Sequence, residues 1–235
     1  MIKFKDVEIY WINNSSNVER FEHMKKLLEK HFPKNKHIHI DAVMHNPKYQ
    51  GVTMAHTISL MKGLTSCKPF IVLEDDVTID EVRIEEIEEI MNIDKKPDVI
   101  YLGLSTWGTR TRHHMEIFKN FKKNVMVWEK KVLFNRGAKG CDIGSTTFIK
   151  LDDMYGAHAI LYLNREYVLK TLKYCIIAVE CNKPHDIFLP KLMRSNYVVG
   201  LRVPWFYQLA RIGGQEGATR VRLDRLEEIR LEGEK

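Results

Sequence analysis

Residues 69–77 read PFIVLEDDV, an apolar run followed directly by three acidic residues. Positions 70–73 have the length and the β-branched content of a strand that is buried on both faces, as in α/β sheets. Open α/β sheets place their ligand crevices at the carboxyl ends of the strands, which is where Glu74, Asp75 and Asp76 stand. This stretch therefore predicts an α/β fold with an acidic site at the end of a buried strand.

The three acids are expected to point in alternating directions. Side chains alternate along an extended chain, so Glu74 and Asp76 would share one side of the strand and Asp75 would face the other. Two converging carboxylates raise each other's pKa unless a cation holds them. Because Mg²⁺ and Mn²⁺ prefer carboxylates together with substrate phosphates, Glu74 and Asp76 are the expected metal ligands. The alternative interpretation is an acidic turn exposed to water.

Length and composition indicate one large α/β domain. The chain has 235 residues, of which 44% are hydrophobic, so disorder is excluded as its main state. No signal peptide is evident at the start, and no apolar run approaches the roughly 20 residues that cross a bilayer. Cys67, Cys141, Cys175 and Cys181 lack zinc-ligand spacing, so reduced thiols and a cytoplasmic location are expected. A bridge between the last two cysteines is the alternative.

The net charge of +6 is concentrated in one stretch. Residues 110–140 contain nine Lys or Arg and two Glu, a net +7, so the rest of the chain carries about −1. A basic patch beside an acidic site favours an anionic ligand or acceptor over general nucleic-acid binding. A solvated loop is the plainer interpretation. Aromatic residues interleaved with these cations leave a nucleic-acid-binding module as a third hypothesis.

Apolar periodicity predicts strands and helices in alternation, which favours a mainly parallel sheet with helices on both faces. The predicted strands cover residues 7–12, 37–43, 70–73, 99–104, 157–163 and 198–203. The predicted helices cover residues 18–31, 54–64, 80–91, 165–174, 187–193 and 221–231. Residues 46–51 are expected to form a loop, and Gly213 with Gly214 a flexible loop that closes over a ligand.

Several blocks of sequence occur in an order that is similar to one known family. They are IYWINNSSNVERFEHM at the first strand, GVTMAHTISL at 51–60, FIVLEDDV, YGAHAILYLNREYVLKTL at 155–172, HDIFL at 185–189 and the pair Pro204 and Gln208. In these blocks the chain resembles the family-25 glycosyltransferases, known from bacterial lipopolysaccharide galactosyltransferases and the collagen galactosyltransferase group. His56 matches the family's histidine in the second block, whereas Ala55 stands in place of its serine.

The resemblance implies a GT-A fold, with a Rossmann-like, mainly parallel sheet flanked by helices, in one catalytic domain over residues 1–235. A nucleotide-sugar-binding half would cover about 1–105 and an acceptor half about 106–210, followed by a flexible loop and C-terminal helix over about 211–235. The implied activity is a metal-dependent and inverting transfer of a hexose from a UDP-sugar to a glycan or protein hydroxyl. Mn²⁺ or Mg²⁺ is the implied cofactor, and no nucleic acid or transmembrane segment is expected.

The expected donor-binding residues are Asn13, Arg20, His56, Glu74 and Asp75. Asn13 and the turn after the first strand would approach the nucleotide, and Arg20 would neutralise phosphate or form a salt bridge across its own helix. His56 would contact the donor or remain a structural histidine. Glu74 would face the ribose or share the metal with the neighbouring Asp76, while Asp75 would hydrogen-bond groups behind the site.

Inversion at the anomeric carbon requires a base that takes the proton of the acceptor hydroxyl. Asp186 is the candidate, because it follows Pro184 at the start of a predicted helix and lies beyond the acceptor-side strand. A helix N-cap is the alternative role of Asp186, and His185 beside it would bind metal or acceptor. A metal-dependent phosphohydrolase or nucleotidyltransferase would use the same acidic strand end, and it is the second hypothesis for function.

Overall fold

The computed structural model describes residues 2–79, 82–103, 131–133, 138–141, 143–154, 156–201 and 205–208. Most of the basic stretch at 110–140, the glycine loop at 211–217 and the predicted helix at 221–231 lie outside these residues. The described helices include none that is long and apolar enough to cross a membrane. The thiols of Cys175 and Cys181 are both free, so they form no bridge with each other.

Strands and helices follow one another along the chain. The strands are β1 (Glu8–Asn13), β2 (Lys36–Asp41), β3 (Phe70–Glu74), β4 (Val77–Ile79), β5 (Val99–Tyr101), β6 (Lys131–Leu133), β7 (Ala138–Cys141), β8 (Phe148–Met154), β9 (Ala159–Tyr162), β10 (Val198–Leu201) and β11 (Phe206–Gln208). The helices are α1 (Val18–His31), α2 (Lys48–Ser66), α3 (Ile84–Met91), α4 (Arg165–Glu180) and α5 (Leu189–Ser195). Short 3₁₀ helices cover Phe4–Asp6 and His185–Phe188.

Nine of the described strands form one sheet in the order β2-β1-β3-β9-β5-β10-β8-β7-β6, and β4 pairs separately with β11. The prediction of an α/β fold with a helix-flanked sheet is confirmed. The pairing is mixed, because β9 lies antiparallel between β3 and β5, and β8, β7 and β6 continue antiparallel from β10. Parallel pairs join β1 to β2 and β3, and β5 to β10. Six of the nine described strands in this sheet run in the same direction, as the predicted mainly parallel sheet requires. Most pairs of neighbouring strands are nevertheless antiparallel.

Both faces of the sheet are covered by helices. On one face Phe70 and Val72 of β3 belong to an apolar cluster with residues of α2, α4 and α5. On the other face Ile71 and Leu73 belong to a cluster with residues of α1 and α3. All four side chains are nearly inaccessible to water, which confirms the prediction that this strand is buried on both sides. The core is thus a three-layer arrangement with β3 inside it.

The start of α2 is the largest difference between the predicted and observed helices. It begins at Lys48, directly after Pro47, whereas the sequence predicted a loop over 46–51 and a helix only from 54. Gly51 weakened the helical pattern because glycine is a poor helix former. Packing requires glycine at this position, since a Cβ added there would lie 2.0 Å from the carbonyl oxygen of Val43. In contrast α1 covers the predicted residues 18–31, with the side chain of Asn17 accepting a hydrogen bond from the amide of Arg20.

The packing of Gly51 gives a test of the fold. We expect Gly51→Ala to lower the free energy of unfolding by about 1–3 kcal/mol, because the added methyl group meets a backbone oxygen that cannot rotate away. Urea denaturation monitored by circular dichroism measures this loss. Lys62→Ala, at an exposed position of the same helix, is the control and should stay within about 0.5 kcal/mol of wild type. Equal stability of the Gly51→Ala variant would contradict the close approach.

Candidate functional site

The carboxyl ends of β1 and β3 lie side by side because the two strands pair in parallel, with Ile12 opposite Glu74. Asn13 ends β1 and donates from Nδ2 to Oδ2 of Asp75 over 2.7 Å. Arg20, in the first turn of α1, forms an ion pair with the other oxygen of Asp75. The fold thus brings together three predicted donor-binding residues. The alternative prediction for Arg20 was a salt bridge across its own helix. That alternative is wrong for this ion pair, because the acid, Asp75, comes from the end of β3.

Asn13 has a buried acceptor without a protein donor. Its side chain is 1% exposed, and Oδ1 has no hydrogen-bond partner among the residues that the structure describes. The carboxylate of Asp75 fixes the orientation of the amide, because Nδ2 must face the carboxylate and Oδ1 must point away from it. A buried acceptor left unpaired costs about 1–3 kcal/mol, so a ligand that donates a hydrogen bond here would recover this energy.

Glu74 faces the opposite side of the sheet from Asp75. Its Oε1 lies 3.1 Å from Nε2 of His56, a residue of α2 that is 1% exposed. The predicted alternation of Glu74 and Asp75 is therefore observed. Beyond Glu74 the strand ends and Asp75 and Asp76 form the turn to β4, so strand alternation does not relate Asp76 to Glu74. Asp76 is 7% exposed, which excludes a water-exposed acidic turn.

Asp186 lies in the 3₁₀ helix His185–Phe188 and reaches towards the start of β9. Its Oδ2 accepts a hydrogen bond from the amide of Gly156 over 3.2 Å. The N-cap residue of this helix is Pro184, and the helix has no side-chain capping hydrogen bond. The N-cap role considered for Asp186 is therefore wrong. Gly156 has φ +102°, a backbone conformation that residues with a side chain rarely adopt, and this turn directs its amide at the carboxylate.

A row of buried polar side chains on α2 connects Glu74 to the segment that carries Asp186. Gln50, Thr53 and His56 are spaced three residues apart, which places them on one face of the helix. Gln50 Nε2 donates to Asn182 Oδ1 over 3.1 Å, Thr53 Oγ1 lies 3.3 Å from His185 Nδ1, and the rings of His56 and His185 are 4.5 Å apart. This polar row packs α2 against the residues that follow α4.

Burial raises the pKa values of two of the carboxyl groups at the site, Glu74 and Asp186. Burial, together with the charge of Asp75, raises the pKa of Glu74 to about 7, although Arg20 acts in the opposite direction. Burial and the charge of Glu74 raise the pKa of Asp186 to about 6. Because each is influenced by neighbouring negative charge, Glu74 and Asp186 belong to one electrostatic environment.

The two histidines beside these carboxyls are neutral near pH 7. Burial lowers the pKa of His56 to about 4. Burial, reinforced by His56, lowers the pKa of His185 well below its usual value. The contact between His56 and Glu74 is therefore a hydrogen bond rather than an ion pair at neutral pH, and neither of these two histidines supplies a positive charge to the acidic side of the site.

The described residues include no group of three or more His, Cys, Asp or Glu side chains arranged for a metal ion. Asp75 is already held by Asn13 and Arg20. Glu74 is a half-buried carboxyl with a raised pKa, so a positive charge beside it would stabilise its ionised form. Glu74 and Asp76 together supply two protein carboxylates, which fits a hard cation that takes its other ligands from a substrate phosphate and does not fit an all-protein cage.

Three contributors to the site were absent from the predicted set: Thr53, Gly156 and His158. His158 is 2% exposed, and its backbone oxygen accepts a hydrogen bond from the amide of Glu74 over 2.9 Å. A Cβ added to Gly103 would lie 2.2 Å from Nε2 of His158, so that glycine allows the ring to pack at this strand end. The three-residue spacing of the polar positions 50, 53 and 56 is the signal that could have indicated Thr53.

Comparisons with known proteins assign no family to the chain. No protein-family model matches the sequence, and no curated protein matches it. Among solved structures, the crystal structure of A197 from STIV matches with a TM-score of 0.44 and 14% identity, over 86% of this chain and 83% of that one. Mouse xyloside xylosyltransferase 1, in its apo form, matches with a TM-score of 0.36 and 8% identity, over 80% of each chain. Both TM-scores are below 0.5, so neither likeness carries an argument about function.

The raised pKa of Glu74 predicts how stability depends on pH. From the ordinary value of 4.5 up to about 7, the folded protein binds more protons at this carboxyl than the unfolded chain does, so stability falls as the pH rises through this window. Glu74→Gln removes this loss. Relative to the variant, we expect wild type to lose about 2–3 kcal/mol of unfolding free energy between pH 4.5 and pH 8.

Urea denaturation at the two pH values measures this difference. Glu89→Gln replaces an exposed acid on α3 and serves as the matched control, because its stability relative to wild type should be the same at both pH values. If the difference between wild type and Glu74→Gln does not change with pH, Glu74 is not protonated in the folded protein and the electrostatic description of the site is wrong.

Proposed function

We propose that the protein is a glycosyltransferase that moves a hexose from a nucleotide-diphosphate sugar to a hydroxyl of a glycan or protein. The observation that carries the proposal is the meeting of two polar clusters at the carboxyl ends of β1 and β3. One cluster is formed by Asn13, Arg20 and Asp75, and the other by Glu74 with Asp186 nearby. A nucleotide sugar has a nucleoside at one end and a sugar at the other, joined by a diphosphate, so two adjacent polar clusters could each bind one end of it. The resemblance of the sequence blocks to family-25 glycosyltransferases supports the same activity.

The nucleoside of the donor would bind at the first cluster. The unpaired Oδ1 of Asn13 accepts a hydrogen bond from the nucleoside, and uridine supplies donors in its base and its ribose. Arg20 is held close by through Asp75 and contributes positive potential for the diphosphate. The ion pair also fixes the turn after β3, so the binding surface is formed before the donor arrives.

A divalent cation, Mn²⁺ or Mg²⁺, would be held by Asp76 and Glu74 together with the donor phosphates. When bound, it neutralises the charge that develops on the departing diphosphate. His56 orients the Glu74 carboxyl through the hydrogen bond to Oε1. A positive charge at this position also favours the ionised form of Glu74, which burial alone disfavours.

Asp186 would act as the base. Its carboxylate takes the proton of the acceptor hydroxyl as that oxygen bonds to the anomeric carbon, and the bond from this carbon to the diphosphate oxygen breaks on the opposite side. A pKa of about 6 suits this role, because the group is ionised at neutral pH and still close to the pH at which it works. The hydrogen bond from Gly156 orients the carboxylate through Oδ2.

The first experiment is a panel of nucleotide sugars tested for release of the nucleoside diphosphate with Mn²⁺, Mg²⁺ or EDTA, with and without simple glycan acceptors. We expect metal-dependent release from one or more UDP-hexoses and little from other nucleotides. Release of inorganic phosphate or pyrophosphate instead would favour the phosphohydrolase or nucleotidyltransferase hypothesis. Binding of DNA or RNA with a steep salt dependence and no release at all would favour the nucleic-acid-binding module.

Asp186→Asn tests the base. We expect transfer to fall by 10²–10⁴-fold, the usual effect of losing a general base, while donor binding measured by calorimetry is retained. Wild-type transfer should also decline as the pH falls through about 6, where Asp186 becomes protonated. Asp152→Asn changes a partly exposed acid of β8 that is paired with Lys150, and it is the matched control. Transfer by Asp186→Asn at the wild-type rate would place the base elsewhere, and loss of donor affinity would make Asp186 a ligand.

A further inference from the structure

A cavity of about 230 Å³ lies at the edge of the sheet opposite the candidate site. Its walls come from the end of α2, the start of β3, the segment before β5, the end of β9 and the start of α4. Phe70, the first residue of β3, lines the cavity, whereas Glu74 at the other end of that strand belongs to the candidate site. Four residues of strand separate the two, about 13 Å, so this cavity is not part of the proposed donor site.

Three cationic residues line the cavity: Lys68, Lys96 and Arg165. They come from three separate segments, and no Asp or Glu is among the lining residues that the structure describes. Neither lysine forms an ion pair within the described part of the chain. Arg165 Nη1 donates to the backbone oxygen of Leu64 over 2.7 Å, which holds the guanidinium at the rim. The rim therefore has an excess of positive charge, with the carboxylate of Asp98 behind it as the acceptor of a hydrogen bond from the lining residue Asn164.

The inner wall of the cavity is apolar. The rings of Phe70 and Tyr162 are stacked, with centroids 5.1 Å apart and an angle of 21° between their planes. Leu64 and Val168 extend this surface from α2 and α4. An apolar wall with a few convergent charged groups is the usual composition of a small-molecule site. A fully hydrated inorganic anion would use only the rim, and an uncharged apolar molecule would use only the wall.

We propose that this cavity binds a small phosphate monoester that carries one aromatic ring or a short aliphatic chain. The apolar part would lie against Phe70 and Tyr162, and the phosphate would lie between Lys68, Lys96 and Arg165. A dianion matches three cations better than a carboxylate does, because each added negative charge gains from the same positively charged rim. The amide dipoles of α4, which begins at Arg165, add favourable potential at this end. The proposal does not depend on the proposed glycosyltransferase activity.

Calorimetric titration of the full chain with phenyl phosphate, inorganic phosphate and phenol tests the site. We expect phenyl phosphate to bind at least tenfold more tightly than either of the other two, since only it uses both the rim and the wall. The double variant Lys68→Gln/Lys96→Gln should weaken phenyl phosphate binding at least tenfold. Lys25→Gln/Lys26→Gln removes the same charge from exposed positions of α1, on the opposite face of the sheet, and should bind as wild type does.

Three results would overturn the proposal. They are equal affinity for phenyl phosphate and inorganic phosphate, unchanged binding by the Lys68→Gln/Lys96→Gln variant, and no binding at millimolar phenyl phosphate. Glu74→Gln distinguishes this cavity from the proposed donor site, because it should leave phenyl phosphate binding unchanged. A change of affinity in that variant, in either direction, would mean that the anion occupies the other edge of the sheet, and this too would overturn the proposal. Absence of sugar-nucleotide activity would have no bearing on these titrations.

Discussion

The parallel pairing of β1 with β3 is the constraint on which the candidate site depends. It places Asn13 next to the acidic turn, and α1, which follows β1, brings Arg20 to the same carboxylate. β3 can occupy this inner position only because residues 70–73 are apolar on both sides, so that each face of the strand is covered by a helical layer. The three acids that follow therefore lie together at the edge of the core, where their carboxylates are only partly hydrated and require hydrogen-bond or ion-pair partners.

The partners that they find divide the site into two halves of different electrostatic character. Asp75 is matched by the guanidinium of Arg20 and the amide of Asn13, so its charge is compensated by the protein. Glu74 lies beside the neutral His56, and its pKa rises to about 7 while that of Asp186 rises to about 6. The metal-bound diphosphate that we propose as ligand would bring positive charge to the half that contains Glu74.

Sequence patterns were most successful where a single element determines its own structure. The helix at 18–31 was predicted to the residue, because its apolar spacing and its cap at Asn17 are local features. They were least successful where contacts with another element determine the structure. Gly51 lies in the first turn of α2, which the pattern missed, because its contact with Val43 comes from the segment before the helix. The direction of β9 was also missed, since a short strand buried on both faces reads the same in either orientation.

The sequence by itself determined the α/β class, the buried strand at 70–73, the acids at its carboxyl end and the opposite orientation of Glu74 and Asp75, because these follow from apolar runs and the two-residue period of a strand. Only the tertiary structure decided which partner each acid has. Arg20 is 55 positions from Asp75, and Gly156 is 30 positions from Asp186. Pairs so distant in sequence meet only because of the strand order, and the pKa values follow from the burial that this order creates.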